Sequence, residues 1–134
     1  MTRPSGIERD LVILACAVSA GIHAALTPEH FREGVGAGFG FLVSAVLLAG
    51  LVVALTRAAS PPALVLTIVT MAGLIAAYAL AVTTGMPLLH PEVEPVDGLA
   101  LTTKAFEAVG LVAAAHLLLP ARTSPLIRFE RKLT

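Results

Sequence analysis

The chain is short of charge. Of its 134 residues, 13% are Asp, Glu, Lys or Arg, about half the share of an ordinary soluble domain. Hydrophobic residues make up 57% and the mean hydropathy is +0.89, which excludes a water-soluble globule. Nine basic residues balance nine acidic ones, so there is no basic surface for a nucleic acid backbone and no nucleic-acid partner is expected. The single cysteine, Cys16, permits neither an intramolecular disulfide nor a cysteine-based zinc site. The sequence carries no internal repeat, no low-complexity segment, and no nucleophile motif or cofactor fingerprint. A catalytic role is therefore not the expected one, although redox chemistry at a membrane-bound metal stays open.

What the chain has instead is four apolar runs, residues 11–26, 35–55, 63–86 and 99–119, which together hold 82 of the 134 residues. A hydrocarbon core roughly 30 Å thick takes about 20 residues of helix. Three runs reach that length directly. The first reaches it if Glu8, Arg9 and Asp10 lie among the headgroups; a cleaved signal peptide is the competing reading of that run. The expected fold is all-α: one integral domain with spans at about 8–27, 35–56, 62–86 and 99–119 and a basic tail over 120–134, embedded in a lipid bilayer.

Loop charge sets the direction. Arg3, Arg9, Arg57, Arg122, Arg128, Arg131 and Lys132 fall on one side of the four spans, against Arg32 alone on the other, and segment 87–98 has no Lys or Arg. The positive-inside rule places both termini in the cytoplasm, as in a multi-pass protein of a cell inner membrane. Ser60-Pro61-Pro62 reads as a helix break followed by a helix start. Thr27-Pro28-Glu29 has the composition of a helix start too, which predicts a separate helical turn over 28–33 between the first two spans. Gly34, Gly36, Gly38 and Gly40 open the second span with overlapping small-xxx-small patterns, suited to close packing within the bundle or to a seam between copies in a homo-oligomer.

The polar residues gather at the outer end. Glu29, His30, Glu33, His90, Glu92, Glu94 and Asp97 are in the outer loops, and His23, Lys104 and Glu107 are sunk roughly 6, 7 and 12 Å into the adjoining spans by helix rise. An acid at mid-span is costly and calls for a partner. Lys104, three residues before Glu107, is one candidate. Two stripes with helical spacing carry these groups: Cys16, Ser19, His23 and Thr27 on the first span, and Thr103, Glu107, Gly110 and Ala114 on the fourth. His30 and Glu33 have the i, i+3 spacing that helical metal sites use. The acidic, proline-stiffened segment after Gly85 can fold down as a lid that adds His90, Glu92 or Glu94, or stand in solvent.

Imidazole and carboxylate together suit zinc, copper, iron or manganese. The expected function is thus binding of a metal or other cation at an outward-facing site made by His23, His30, Glu33, His90, Glu94 and Glu107. The alternative is a structural or assembly subunit whose polar groups serve helix packing alone. Haem is not expected, because His23 and His116 lie roughly 20 Å apart along the membrane normal.

Gly21-Ile22-His23, Thr27-Pro28-Glu29-His30-Phe31, the glycine-rich opening of the second span, Gly85-x-Pro87, Glu94-Pro95-Val96 and Lys104-x-x-Glu107 form a pattern that resembles a group of small, uncharacterised four-helix bacterial integral membrane proteins. The resemblance implies that His23, His30, Glu94 and Glu107 belong to one site, and it names no ligand.

The orientation is open to direct test. With Cys16 replaced by Ala, a single cysteine at Val93 should react with an impermeant thiol reagent from outside the cell and one at Ser60 should not; the opposite pattern would reverse the topology.

Overall fold

The computed structural model describes residues 6–87, 89 and 91–119. It contains four helices, α1 (Gly6–Glu33), α2 (Val35–Arg57), α3 (Pro61–Thr83) and α4 (Gly98–Leu118), and among the described residues no β-strand. All four are long and apolar enough to cross a membrane. The sequence places four spans at the same positions. The tail over 120–134 lies outside the described residues.

The first boundary is different from the one expected. Instead of stopping at Thr27 and restarting at Pro28, α1 runs unbroken for 28 residues with Pro28 inside it. Thr27 does not cap a new helix; it is buried, and its hydroxyl donates back to the His23 carbonyl at 2.7 Å. A proline near a helix end removes only one backbone donor, and the side chains of Thr27 and His30 bond into the carbonyls around it. The turn composition is thereby absorbed into the last two turns of α1. Elsewhere the local chemistry acts as written. Pro61 and Pro62 open α3, and the Asp97 carboxylate caps α4 by accepting from the Ala100 amide at 2.8 Å.

The helices alternate in direction, and the start of α1 meets the end of α4 through Glu8 and His116, 2.8 Å apart. Around the bundle α2 packs on α1, α1 on α4 and α4 on α3, while α2 and α3 meet least. The main apolar core cluster lies in the half of the bundle that holds the start of α1 and the end of α4, with the small side chains of Ala37 and Ala81 buried beyond it. Val12, Ala15 and Cys16 of α1, Leu48, Leu51 and Leu55 of α2, Leu64 and Met71 of α3, and Ala113 and Ala114 of α4 form it. Toward the opposite end the buried stripe turns polar, with Ser19, His23, Thr27, Thr103 and Glu107. Both stripes read from the sequence are buried along their whole length.

Lipid tails are as apolar as leucine, so membrane helices associate through close packing and hydrogen bonds rather than through the hydrophobic effect. Close packing is sharpest at Gly110 of α4, where an added Cβ would sit 2.8 Å from the Ala15 Cβ and 3.4 Å from Met71 Cε. At Gly38 the close neighbour is the ring of Phe31, an aromatic side chain where the small-residue pattern led us to expect a helix backbone. Gly50 has open space beside it.

Gly110→Ala should therefore lower the melting temperature of the solubilised protein, through overpacking worth about 1–3 kcal/mol. Gly50→Ala, measured alongside it, should leave stability unchanged or slightly raised.

Candidate functional site

Glu107 is completely buried, and both of its oxygens are taken. Oε1 accepts a hydrogen bond from Ser19 Oγ of α1 at 2.8 Å. Oε2 accepts one from Lys104 Nζ, one turn earlier on α4, at 2.5 Å. Lys104 Nζ also donates to the Leu74 carbonyl of α3 at 3.3 Å. One carboxylate and its ammonium thus tie three helices at mid-depth. The Ser19 carbonyl in turn accepts from His23 Nδ1 at 2.8 Å, which extends the chain of bonds along α1.

Two imidazoles stand above this network, and both are held in the same way. His23 Nδ1 bonds to the Ser19 carbonyl and His30 Nδ1 to the Leu26 carbonyl, the latter at 3.0 Å. A carbonyl oxygen only accepts, so each Nδ1 carries the proton and each neutral ring keeps its lone pair on Nε2. A hydrogen bond from the other ring nitrogen to a carbonyl is what orients imidazoles for ligation in metal sites. Phe41 of α2 packs against both rings, stacked on His30 with centroids 3.5 Å apart and tilted on His23 at 5.1 Å. His30 Nε2 lies 3.8 Å from Glu33 Oε2.

These residues line a chamber of roughly 910 Å³ that opens at the end of the bundle opposite the start of α1 and the end of α4. The segment between α3 and α4 folds over it, as a lid. Gly85 starts that fold with φ +72°, and a Cβ there would strike the Pro91 carbonyl. The Glu94 amide pins the segment back by donating to the Ala81 carbonyl at 3.0 Å. Glu92, Glu94 and Asp97 thereby join Glu29 and Glu33 among the lining residues, all but Glu94 exposed to solvent and Asp97 also capping α4, and among the described lining residues Lys104 is the one lysine or arginine beside these five acids and two imidazoles. A smaller cavity of roughly 450 Å³ beside Gly85 and Met86 has no ionisable side chain among its described lining residues.

Of the six residues expected to form the site, His23, His30, Glu33 and Glu94 line this chamber. Glu107 is joined to it through Lys104 but lies behind the wall, and His90 is outside the described residues. Among the described residues no three His, Cys, Asp or Glu side chains are grouped to hold a metal ion. Phe41 packs on both imidazoles, and the oxygens of Glu107 are engaged by Ser19 and Lys104. His116 belongs elsewhere, paired with Glu8 at the far end. Sequence reasoning missed Phe41 and Tyr78. Tyr78 is the only tyrosine of the chain, placed in an otherwise apolar helix, and a membrane-embedded phenol that needs a partner for its hydroxyl was the available signal.

The Glu107–Lys104 pair predicts a specific stability pattern. Glu107→Gln keeps the shape but strands the Lys104 ammonium, so thermal stability should fall by about 3 kcal/mol, the lower end of the range for a broken buried pair because Lys104 retains some exposure. Lys104→Met in the same chain should recover most of that loss, and a double-mutant cycle on the solubilised protein measures the coupling.

Comparison with protein families, with curated proteins and with solved structures finds no match to this chain.

Proposed function

We propose that this is a multi-pass protein of a bacterial inner membrane, with cytoplasmic termini, that binds a cation in the chamber from the outer side. The observation that supports this most strongly is the imbalance of charge on the chamber wall. Five acidic residues line the chamber and its rim against one lysine, and that ammonium is already neutralised by Glu107 from behind. A concave surface of one sign set in a low-dielectric protein and lipid surround concentrates counter-ions.

Two kinds of cation suit the lining. A transition metal such as zinc, copper, iron or manganese would use Nε2 of His23 or His30 with a neighbouring carboxylate, Glu33 being the one already beside His30. As placed, the donors do not close around a single ion, so a metal would be held by one imidazole and carboxylates rather than by a bis-histidine pair. An ammonium group needs no such closure, since it is satisfied by hydrogen bonds to several carboxylate oxygens.

The second reading, a structural or assembly subunit without a ligand, is favoured by one observation, the saturation of Glu107 by Ser19 and Lys104. It accounts for the centre of the bundle. It does not account for a chamber of this size above it whose lining and rim carry five acidic residues.

Titration calorimetry of the detergent-purified chain against zinc, manganese and ethylammonium, together with elemental analysis, tests the proposal. At least one of these should bind, with affinity that falls as salt rises and drops about tenfold or more, roughly 1.4 kcal/mol, in the Glu33→Gln, Glu94→Gln double variant. Absence of binding to all three, with no metal retained on purification, would leave the packing role.

A further inference from the structure

The size, layering and side opening of the chamber narrow the identity of that cation. A volume of roughly 910 Å³ is at the upper end of the range for organic ligands, about 300–1,000 Å³, and far exceeds what a single ion with one or two waters of about 30 Å³ each would fill. Its walls are also layered by depth. The carboxylates of Glu29, Glu33, Glu92, Glu94 and Asp97 stand at the mouth. Lys104 is seven residues below Asp97 on α4, about 10 Å further in, and its Nζ lies 5.6 Å from the ring centre of Tyr78 on α3.

Two hydrogen-bond donors at this depth have work left to do. The hydroxyl of Tyr78 is buried and makes no hydrogen bond among the described residues, an exception to the rule that buried polar atoms are paired. Lys104 has three N–H groups, of which two are directed at Glu107 and the Leu74 carbonyl. Because Glu107 cancels the charge of Lys104, this inner layer offers donors without net charge, a fit to oxygen acceptors.

The remaining wall is a cleft. Ala37, Phe41 and Ser44 form a stripe on α2, and Ala77, Tyr78 and Ala81 a stripe on α3. These two helices are joined at the far end by the turn after Arg57 and meet least of all neighbouring pairs in the bundle. Phe41, Ala77 and Tyr78 are each only partly buried. The chamber therefore has a mainly apolar side facing the bilayer as well as an acidic mouth facing water.

Acidic mouth, oxygen-accepting inner layer and apolar side opening repeat, in order, the ammonium, phosphate–ester and acyl layers of one class of molecule. We propose that the occupant is an amine-headed phospholipid of the surrounding bilayer. Its ammonium sits among the mouth carboxylates, its phosphate or ester oxygens accept from Lys104 Nζ and, once the ring turns its covered hydroxyl toward the chamber, from Tyr78 Oη, and its acyl chains pass between α2 and α3. This rests on the cation reading and narrows it to a lipid head.

The test is native mass spectrometry of the full chain released from nanodiscs that contain, in equal amounts, amine-headed, choline-headed and glycerol-headed phospholipids with identical acyl chains. One amine-headed lipid per chain should be retained at least tenfold over the other two. Tyr78→Phe, which removes only the hydroxyl, should cut that retention severalfold at an unchanged melting temperature, and Glu33→Gln with Glu94→Gln should abolish the headgroup preference. Equal retention of choline- and amine-headed lipids, or preference for the anionic glycerol head, would overturn the assignment. Retention of no lipid by a chain that binds ethylammonium or a metal in calorimetry would overturn the lipid and leave the cation reading standing. Loss of both would overturn the two together.

Discussion

A carboxylate in the middle of a membrane is the constraint around which this bundle is arranged. Unpaired, Glu107 would carry an insertion cost of about 2.5–3.5 kcal/mol at the helix centre. It is tolerated because Lys104 supplies charge and hydrogen bond together and Ser19 satisfies the second oxygen. Those partners come from different helices, and Lys104 reaches a third through the Leu74 carbonyl. The relation of α1, α3 and α4 at mid-depth follows from satisfying one side chain.

On either side of that layer the bundle is built differently. Toward the start of α1 and the end of α4 it is dry and tightly packed, with leucine, methionine and alanine filling the centre and Gly110 pressed against Ala15. On the other side α2 and α3 separate, the lid segment folds over, and the interior becomes a chamber lined by imidazoles and carboxylates. The dry half supplies the packing that a membrane bundle needs in place of a hydrophobic driving force. That leaves the hollow half free to carry polar groups whose contribution to packing is small.

Much of the candidate site was legible in the residues because an α-helix imposes its period on them. Ser19, His23 and Thr27 fall on one face of α1, as do Thr103, Glu107 and Gly110 on α4, and a polar stripe in a membrane helix turns inward. Thr27-Pro28-Glu29 misled for an equally local reason. Its composition suits a helix start, but a hydroxyl that donates back to the preceding turn satisfies the chain just as well, and proline near a helix end costs little. Phe41 left no clear trace, since one aromatic residue in an apolar helix reads as lipid-facing until the neighbouring helix is in place, whereas the phenol of Tyr78 signalled a need for a partner without saying where that partner lies.

The amino-acid sequence by itself determined four spans and their boundaries to within a few residues at three of the four, and it marked Lys104 as a candidate partner for Glu107, all of which follow from length, hydropathy and spacing along a single helix. Which helices became neighbours, which oxygen of Glu107 met which donor, and the chamber enclosed by the four helices were decided only in the tertiary structure. These depend on how the helices approach and rotate against one another. Small residues, one glycine contact and a few interhelical hydrogen bonds settle that packing, and no periodicity within a single segment encodes it.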